Sequence, residues 1–180
     1  MDALIRDLLE LSRIRKSGEV QPLLDPRPVL LQIEAELKLR FEEQGVTLSI
    51  PEAPPMMRVD GTRLYQIFSN LIGNALAHGF AGKPAELADR RVSIEILDEG
   101  EYQEIVVSDN GRGVSREDQQ RIFEVFQTGP AVRRGERSHG IGLAIVKKIA
   151  EAYGGRAWVV SESGQGTHFH ILFPNQSCSR

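Results

Sequence analysis

The chain has 180 residues and a mass of 20.0 kDa, with 22 Lys and Arg against 25 Asp and Glu and a net charge of −3. With 41% hydrophobic and 26% charged residues it has enough apolar content for a folded core, and its mild acidity excludes binding of nucleic acid by bulk positive charge. No apolar run approaches the roughly 20 residues of a membrane-crossing helix, the acidic start is unlike a secretory signal, and the lone Cys178 cannot form an internal disulfide, so a soluble, cytoplasmic chain is expected.

The first fourteen residues have helical spacing, with Leu4, Leu8 and Leu11 on one stripe and Ile5 and Leu9 on another. So wide an apolar surface on so short a segment predicts the end of a longer helix that pairs with others. Ser17-Gly18 stops it, and a connector with Pro22, Pro26 and Pro28 follows. Leu30, Ile33, Leu37 and Phe41 predict a helix, and Val46 to Ile50 an alternating strand. After a short strand near Met57–Val59, Asp60 is placed to cap a helix running to His78. Its apolar positions are Leu64, Ile67, Phe68, Leu71, Ile72 and Ala75. Two strands follow, through Val92, Ile94 and Ile96 and then Ile105 and Val107. Ser115 to Asp118 has capping-box spacing for a short helix. A loop rich in Gly and Arg covers about 127–139, and a helix from Gly140 runs to a stop at Gly154-Gly155. Strands Trp158–Ser161 and Thr167–Phe173, joined by a turn at Gly164-Gln165-Gly166, complete the pattern. Strands paired through short turns, with helices between, predict an α+β fold: a two-layer sandwich whose mixed sheet is covered by helices on one face.

Four features carry chemistry. Asn70 and Asn74, four apart, project from one face of a helix beside its apolar stripe. An amide there must find a partner or stay wet, and its carbonyl next to a triphosphate suits Mg²⁺, which keeps few protein ligands. In isolation the pair is also simply two surface asparagines. Ser108-Asp109-Asn110-Gly111-Arg112-Gly113 follows a strand: the glycines let the backbone approach a flat ligand, and Asp109 can accept from an exocyclic amine such as adenine's. Alone it is an ordinary Asp-Asn-Gly turn. Gly140-Ile141-Gly142-Leu143 opens a helix after Arg133, Arg134, Arg137, Ser138 and His139, and free N–H groups at such a terminus suit phosphate; a plain glycine-rich cap is the other reading. Residues 111–150 carry 8 basic and 4 acidic groups, against 5 and 10 in residues 51–110, so this loop is basic in an acidic chain. The fourth feature, Gly164-Gln165-Gly166-Thr167, is by itself a hairpin turn.

Taken in order, these segments resemble the ATP-binding catalytic domain of sensor histidine kinases. The run Gln66–His78 is similar to its N box, and Asp109–Gly113 to its first glycine box. Ile122–Phe126 is similar to its F box, Gly140–Leu143 to its second glycine box and Gly164–Thr167 to its third. Asp7–Arg13 resembles the end of the dimerisation and phosphotransfer helix. The resemblance implies a Bergerat-type fold and a division into 1–16 (end of that helix), 17–28 (linker), 29–175 (catalytic domain) and 176–180 (tail). It implies that Asn74 coordinates Mg²⁺ with Asn70 in support, and that Asp109 reads the adenine amino group with Thr167 helping. Gly111, Gly113 and Val114 would shape the base pocket. Phe123 and Phe126 would hinge a lid bearing Arg133, Arg134 and Arg137, while Ser138, His139, Gly140, Ile141, Gly142 and Leu143 would cradle phosphates. The implied reaction passes the γ-phosphoryl group of ATP to a histidine nitrogen. The implied partners are a histidine-bearing dimerisation domain, in the same parent protein or in trans, and a response regulator receiver domain. The full kinase would be a homodimer and could be membrane-anchored.

Three departures stand out. Where the family usually has a basic residue three after the second asparagine there is Ala77, so His78 or a lid arginine is expected to supply that contact. Ser138 replaces the glycine that usually opens the second glycine box. The four histidines, His78, His139, His168 and His170, all lie outside an N-terminal helix, which implies ATP binding without self-labelling. His168 and His170 flank Phe169 and are read as exposed strand residues on one face, with a metal pair as the alternative. The rival readings are an anti-sigma-factor-type serine kinase and a non-catalytic nucleotide-binding module. A hydrolase of the same fold would carry a glutamate where Asn70 stands, and a neutral amide is a poor general base.

Overall fold

In a computed structural model, residues 21–80, 89–124 and 140–175 are described. Helix α1 (Arg27–Gln44) starts behind Pro26 and buries Leu30, Ile33 and Phe41. It ends at Gly45, whose φ of 62° turns the chain directly into strand β1 (Val46–Ser49). Met57 does not begin a strand. It makes a single bridge to Leu24, with N–H to carbonyl distances of 2.8 Å in both directions. Pro51, Pro54 and Pro55 just upstream lack the donors a ladder needs. The bridge also ties the proline-rich connector to the body of the domain as far back as Leu24.

Helix α2 (Gly61–Asn74) is capped by Asp60, whose side chain accepts from the N–H groups of Thr62 and Arg63. Its buried face holds Leu64, Ile67, Phe68, Leu71 and Ile72, the apolar stripe read from the sequence. The helix does not continue unbroken to His78, because Ala75–Gly79 form a wider π turn. Strands β2 (Arg90–Asp98) and β3 (Tyr102–Asp109), helices α3 (Arg116–Arg121) and α4 (Gly142–Ala152), and strands β4 (Arg156–Glu162) and β5 (Gly166–Pro174) complete the described elements. Ser115 caps α3 by accepting from the Asp118 N–H, as its spacing predicts. α4 starts at Gly142 rather than Gly140, because Gly140 has φ 65° and cannot be a helical residue.

The sheet order is β1-β2-β3-β5-β4, with β1 parallel to β2 and every other pair antiparallel. This is the mixed sheet and α+β sandwich expected. α2 packs between α1 and α4, and these helices cover one face of the sheet. Alternation places Val92, Ile94, Ile105, Val107, Phe169, Ile171 and Phe173 on that face, all buried. Tyr153, just past α4, accepts at its hydroxyl from the Asp60 N–H at 3.2 Å, joining the end of α4 to the start of α2. On the open face His168 is exposed, with Nδ1 2.7 Å from Ser108 Oγ. His170 is half-buried rather than exposed: Trp158 stacks on it at 5.0 Å, and Glu104 Oε1 lies 2.8 Å from its Nδ1. No helix among the described residues is long and apolar enough to cross a membrane.

Candidate functional site

The fold gathers distant segments at one end of the sheet. Asp109 is the last residue of β3, faces the helices and is 6% exposed. Strand register places Val92 on one side of it and Thr167 on the other, with Ser161 beyond Thr167. Four strands thus contribute one rung, Val92, Asp109, Thr167 and Ser161, three of whose side chains are polar.

The turn after β3 is folded onto this rung. Asp109 Oδ1 accepts from the Gly111 N–H at 2.8 Å, the usual way a strand-end aspartate shapes a turn. The π turn approaches from the helix layer, and the Gly79 carbonyl accepts from the Arg112 N–H at 2.7 Å. Contact is so close that a Cβ on Gly111 would lie 2.1 Å from the Gly79 oxygen. Gly113 has φ 73°, and a Cβ there would meet the Glu162 carbonyl oxygen at 2.2 Å. Both glycines are therefore required by the geometry. Asn110 faces outward and fastens the turn to the start of β2. Its Oδ1 accepts from the Arg91 N–H at 2.7 Å and its Nδ2 donates to the Asp89 carbonyl at 2.5 Å.

Ser161 joins the two turns that flank Asp109. Its hydroxyl accepts from the Val114 N–H at 2.8 Å and donates to the Gly166 carbonyl at 2.6 Å. Gln119 on α3 adds a clamp, its Nε2 donating to the carbonyls of Val114 and Ser161, both at 2.8 Å.

The other end of the site lies where α2 meets α4. Asn70 Nδ2 donates to the Gln66 carbonyl at 2.7 Å, and this directs Oδ1 at the first residue of α4. A Cβ on Gly142 would lie 2.4 Å from that oxygen, so glycine lets the Asn70 carboxamide rest against the start of α4. Ile141 is fully buried and anchors the start of α4, which has no side-chain cap on its first N–H groups. Asn74 closes α2 and is half-buried, as are Ala77 and His78 in the π turn. Phe123 packs its ring edge-to-face on Phe169 at 6.2 Å, joining the segment after α3 to the core. The structure thus joins Asp109 to Gly111 and Thr167, ties Val114 to the Gly166 turn through Ser161, and sets Asn70 against Gly142. Asn74 and His78 lie half-buried between Asn70 and Gly79, Gly140, Ile141 and Leu143 flank Gly142, and Phe123 packs on Phe169. Phe126, Arg133, Arg134, Arg137, Ser138 and His139 lie outside the described residues.

Sequence reading overlooked Ser161, Gln119 and the close approach of Gly79. A signal for Ser161 was present: it is the polar member of the alternate set Ala157, Val159 and Ser161, whose first two members pack on the core. Gly79 and Gln119 carry no local signal, because their partners are distant in sequence.

Among the described residues there is no cluster of three or more His, Cys, Asp or Glu able to hold a metal. The oxygens offered by Asn70 and Asn74 are hard, neutral donors. Such a set fits Mg²⁺ held mostly by water and phosphate and does not fit a softer resident metal.

A family model described as "Histidine kinase-, DNA gyrase B-, and HSP90-like ATPase" matches residues 59–177. The adaptive-response sensory kinase SasA of Prochlorococcus marinus is 32% identical over 97% of this chain and 45% of its own length. The sensor-like histidine kinase SenX3 of Mycobacterium tuberculosis is 31% identical over 95% of this chain and 41% of its own length. The chain thus spans less than half the length of these curated relatives. Full-length ShkA, solved in complex with AMPPNP, superimposes with a TM-score of 0.72 at 29% identity, covering 96% of this chain and 35% of that one. The Acinetobacter baumannii histidine kinase AdeS, at 20% identity, shares the fold with a TM-score of 0.73, over 98% of this chain and 79% of that one.

Proposed function

This chain belongs to the family of histidine kinase-, DNA gyrase B- and HSP90-like ATPases, and from that premise we propose that it passes the γ-phosphoryl group of ATP to a histidine outside these 180 residues. The observation that carries this reading is that α2 and the π turn continuing it meet α4 at Asn70–Gly142 and, at Gly79, close on Asp109, where a Cβ on Gly79 would lie 3.1 Å from Asp109 Oδ1. One end of the site offers a buried carboxylate that accepts from an exocyclic amine. The other offers the open start of a helix, which suits an anion. A ligand with an amine-bearing base and a polyphosphate tail satisfies both ends, and the AMPPNP bound to ShkA has that chemistry.

Asn74 and Asn70 would hold Mg²⁺ together with the phosphates, and the ion would neutralise charge on the transferred group. The chain's own residues position the nucleotide. Asp109 and Thr167 take the base, Gly111, Gly113 and Val114 shape its pocket, and Gly140 to Leu143 lie along the tail. With Ala77 in the usual basic position, His78 or one of Arg133, Arg134 and Arg137 would make the remaining phosphate contact. Asn70 supports transfer over hydrolysis, because an amide cannot take a proton from water.

His168 and His170 lie on the open face of the sheet, away from the helix layer that bears the site. His78 and His139 belong to the nucleotide segments and none of the four histidines lies on an N-terminal helix, so the acceptor is assigned to a dimerisation domain, in the same parent protein or in trans, with a receiver domain downstream. Residues 1–16 would be the end of the dimerisation helix, 17–28 its linker and 29–175 the catalytic unit. The test is incubation with γ-labelled ATP, Mg²⁺ and a histidine-bearing dimerisation domain. The reading expects acid-labile, base-stable label on the added domain and none on this chain. Steady phosphate release without a partner, or alkali-labile label on serine, would overturn it.

A further inference from the structure

We propose that Ser161 is a positioning residue for the base end of the nucleotide site, acting through the Val114 and Gly166 backbones. The inference rests on the ATP-binding reading and adds a residue to it. Ser161 stands half-buried on the rung that holds the buried Asp109 and Thr167, 3.5 Å from Thr167 Oγ1. Its hydroxyl is committed twice, accepting from the Val114 N–H and donating to the Gly166 carbonyl. These groups belong to different turns, the one after β3 and the one between β4 and β5.

Each turn bears directly on Asp109. The first begins with the Asp109 to Gly111 hydrogen bond and ends at Val114. In the second, Gly166 lies so close that a Cβ there would be 2.0 Å from the Asp109 carbonyl oxygen. One hydroxyl thus fixes both walls around the residue that reads the base. Gln119 holds the same point from α3, through the carbonyls of Val114 and Ser161.

Among the described residues the side-chain bonds of Ser161 and Gln119 end on Val114, Gly166, Thr167 and Ser161, and the turn they hold meets the helix layer at Gly79 rather than at Asn70 or Gly142. Asn70 and Gly142 are set instead by the contact of α2 with α4, more than two helical turns from Gly79. Loss of the hydroxyl should therefore weaken recognition of the base and spare recognition of the tail. A general loss of stability would weaken both.

Thr and Val have nearly the same shape and both favour strands, so Ser161→Thr and Ser161→Val differ chiefly in the hydroxyl. The full chain and both variants are titrated with ATP and, separately, with tripolyphosphate, each with Mg²⁺. Ser161→Val is expected to bind ATP about tenfold more weakly, the scale of one or two lost hydrogen bonds. Ser161→Thr should stay within about threefold of the original chain, and tripolyphosphate affinity should be the same in all three. Gln119→Met removes the Nε2 bonds from outside the sheet and should weaken ATP in the same direction, which keeps the test open should Ser161→Val fold poorly. Equal ATP affinity in the Thr and Val variants, or a parallel loss for ATP and tripolyphosphate, would overturn the proposal. Failure of the original chain to bind ATP at all would instead overturn the ATP-binding reading on which it rests.

Discussion

Asp109 keeps Oδ1 on the Gly111 N–H while its carboxylate lines the proposed base pocket. Asp109→Asn retains a carbonyl for Gly111 but sets an NH₂ against the amine of the base. ATP affinity is expected to fall at least about tenfold with the fold intact, measured by titration alongside circular dichroism. Gly142→Ala tests the other end. Its new Cβ would sit 2.4 Å from Asn70 Oδ1, so the carboxamide or α4 must shift. Weaker binding of Mg-ATP and of Mg-tripolyphosphate is expected together, and an unchanged tripolyphosphate affinity would count against the placement of phosphate there. At this scale the sequence was highly legible. Asn70, Asp109, Gly111 and Gly142 were each singled out from residue type and spacing, because each has a chemical constraint on its own identity. Ser161 was not, since a serine in a strand is unremarkable until its neighbours are known.

At the scale of elements, apolar spacing identified α1, α2 and the strands, because burial of one face imposes the period directly. The differences have local causes. The prolines before Met57 reduce a predicted strand to one bridge, and the left-handed Gly140 delays α4 to Gly142. The π turn at Ala75–Gly79 ends α2 earlier than its apolar pattern suggests and brings Gly79 onto Gly111. Two substitutions test how α2 is held. Asp60→Ala removes the cap on the Thr62 and Arg63 N–H groups and should cost about 1 kcal/mol, read as a lower midpoint in urea. Leu71→Ala empties a fully buried position between α2 and its neighbours and should cost roughly 2–5 kcal/mol by the same measurement.

For the molecule as a whole, the acid limb of stability is set partly at the edges of the sandwich. Asp98 accepts from the Gly100 N–H and from the side chains of Gln103 and Asn175, which hold its carboxyl below the usual 3.8. Hydrogen bonds from Tyr65 and Gln32 lower Glu36 in the same way. A carboxyl lowered in the folded state adds stability above its unfolded value and loses it as pH falls through the folded one. Stability should therefore decline below about pH 4. Asp98→Asn should be less stable than the original chain at neutral pH, with the gap closing in acid. An unchanging gap in urea midpoints between pH 7 and pH 3 would contradict this. At the alkaline end burial raises Tyr153, so its contribution is present below the unfolded value and is lost as pH rises through the folded one.

By itself the sequence determined most element types and the order of the motifs, since these depend on local period and turn chemistry, and the resemblance of those motifs supplied the residues of the proposed site. Only the tertiary structure decided that residues 161 and 114 share one hydroxyl, that Gly79 touches Gly111, and that Asn70 faces Gly142. These contacts follow from the strand order β1-β2-β3-β5-β4 and from the crossing of α2 over α4. Both are fixed by burial of the whole core at once, a term that no local window of sequence contains.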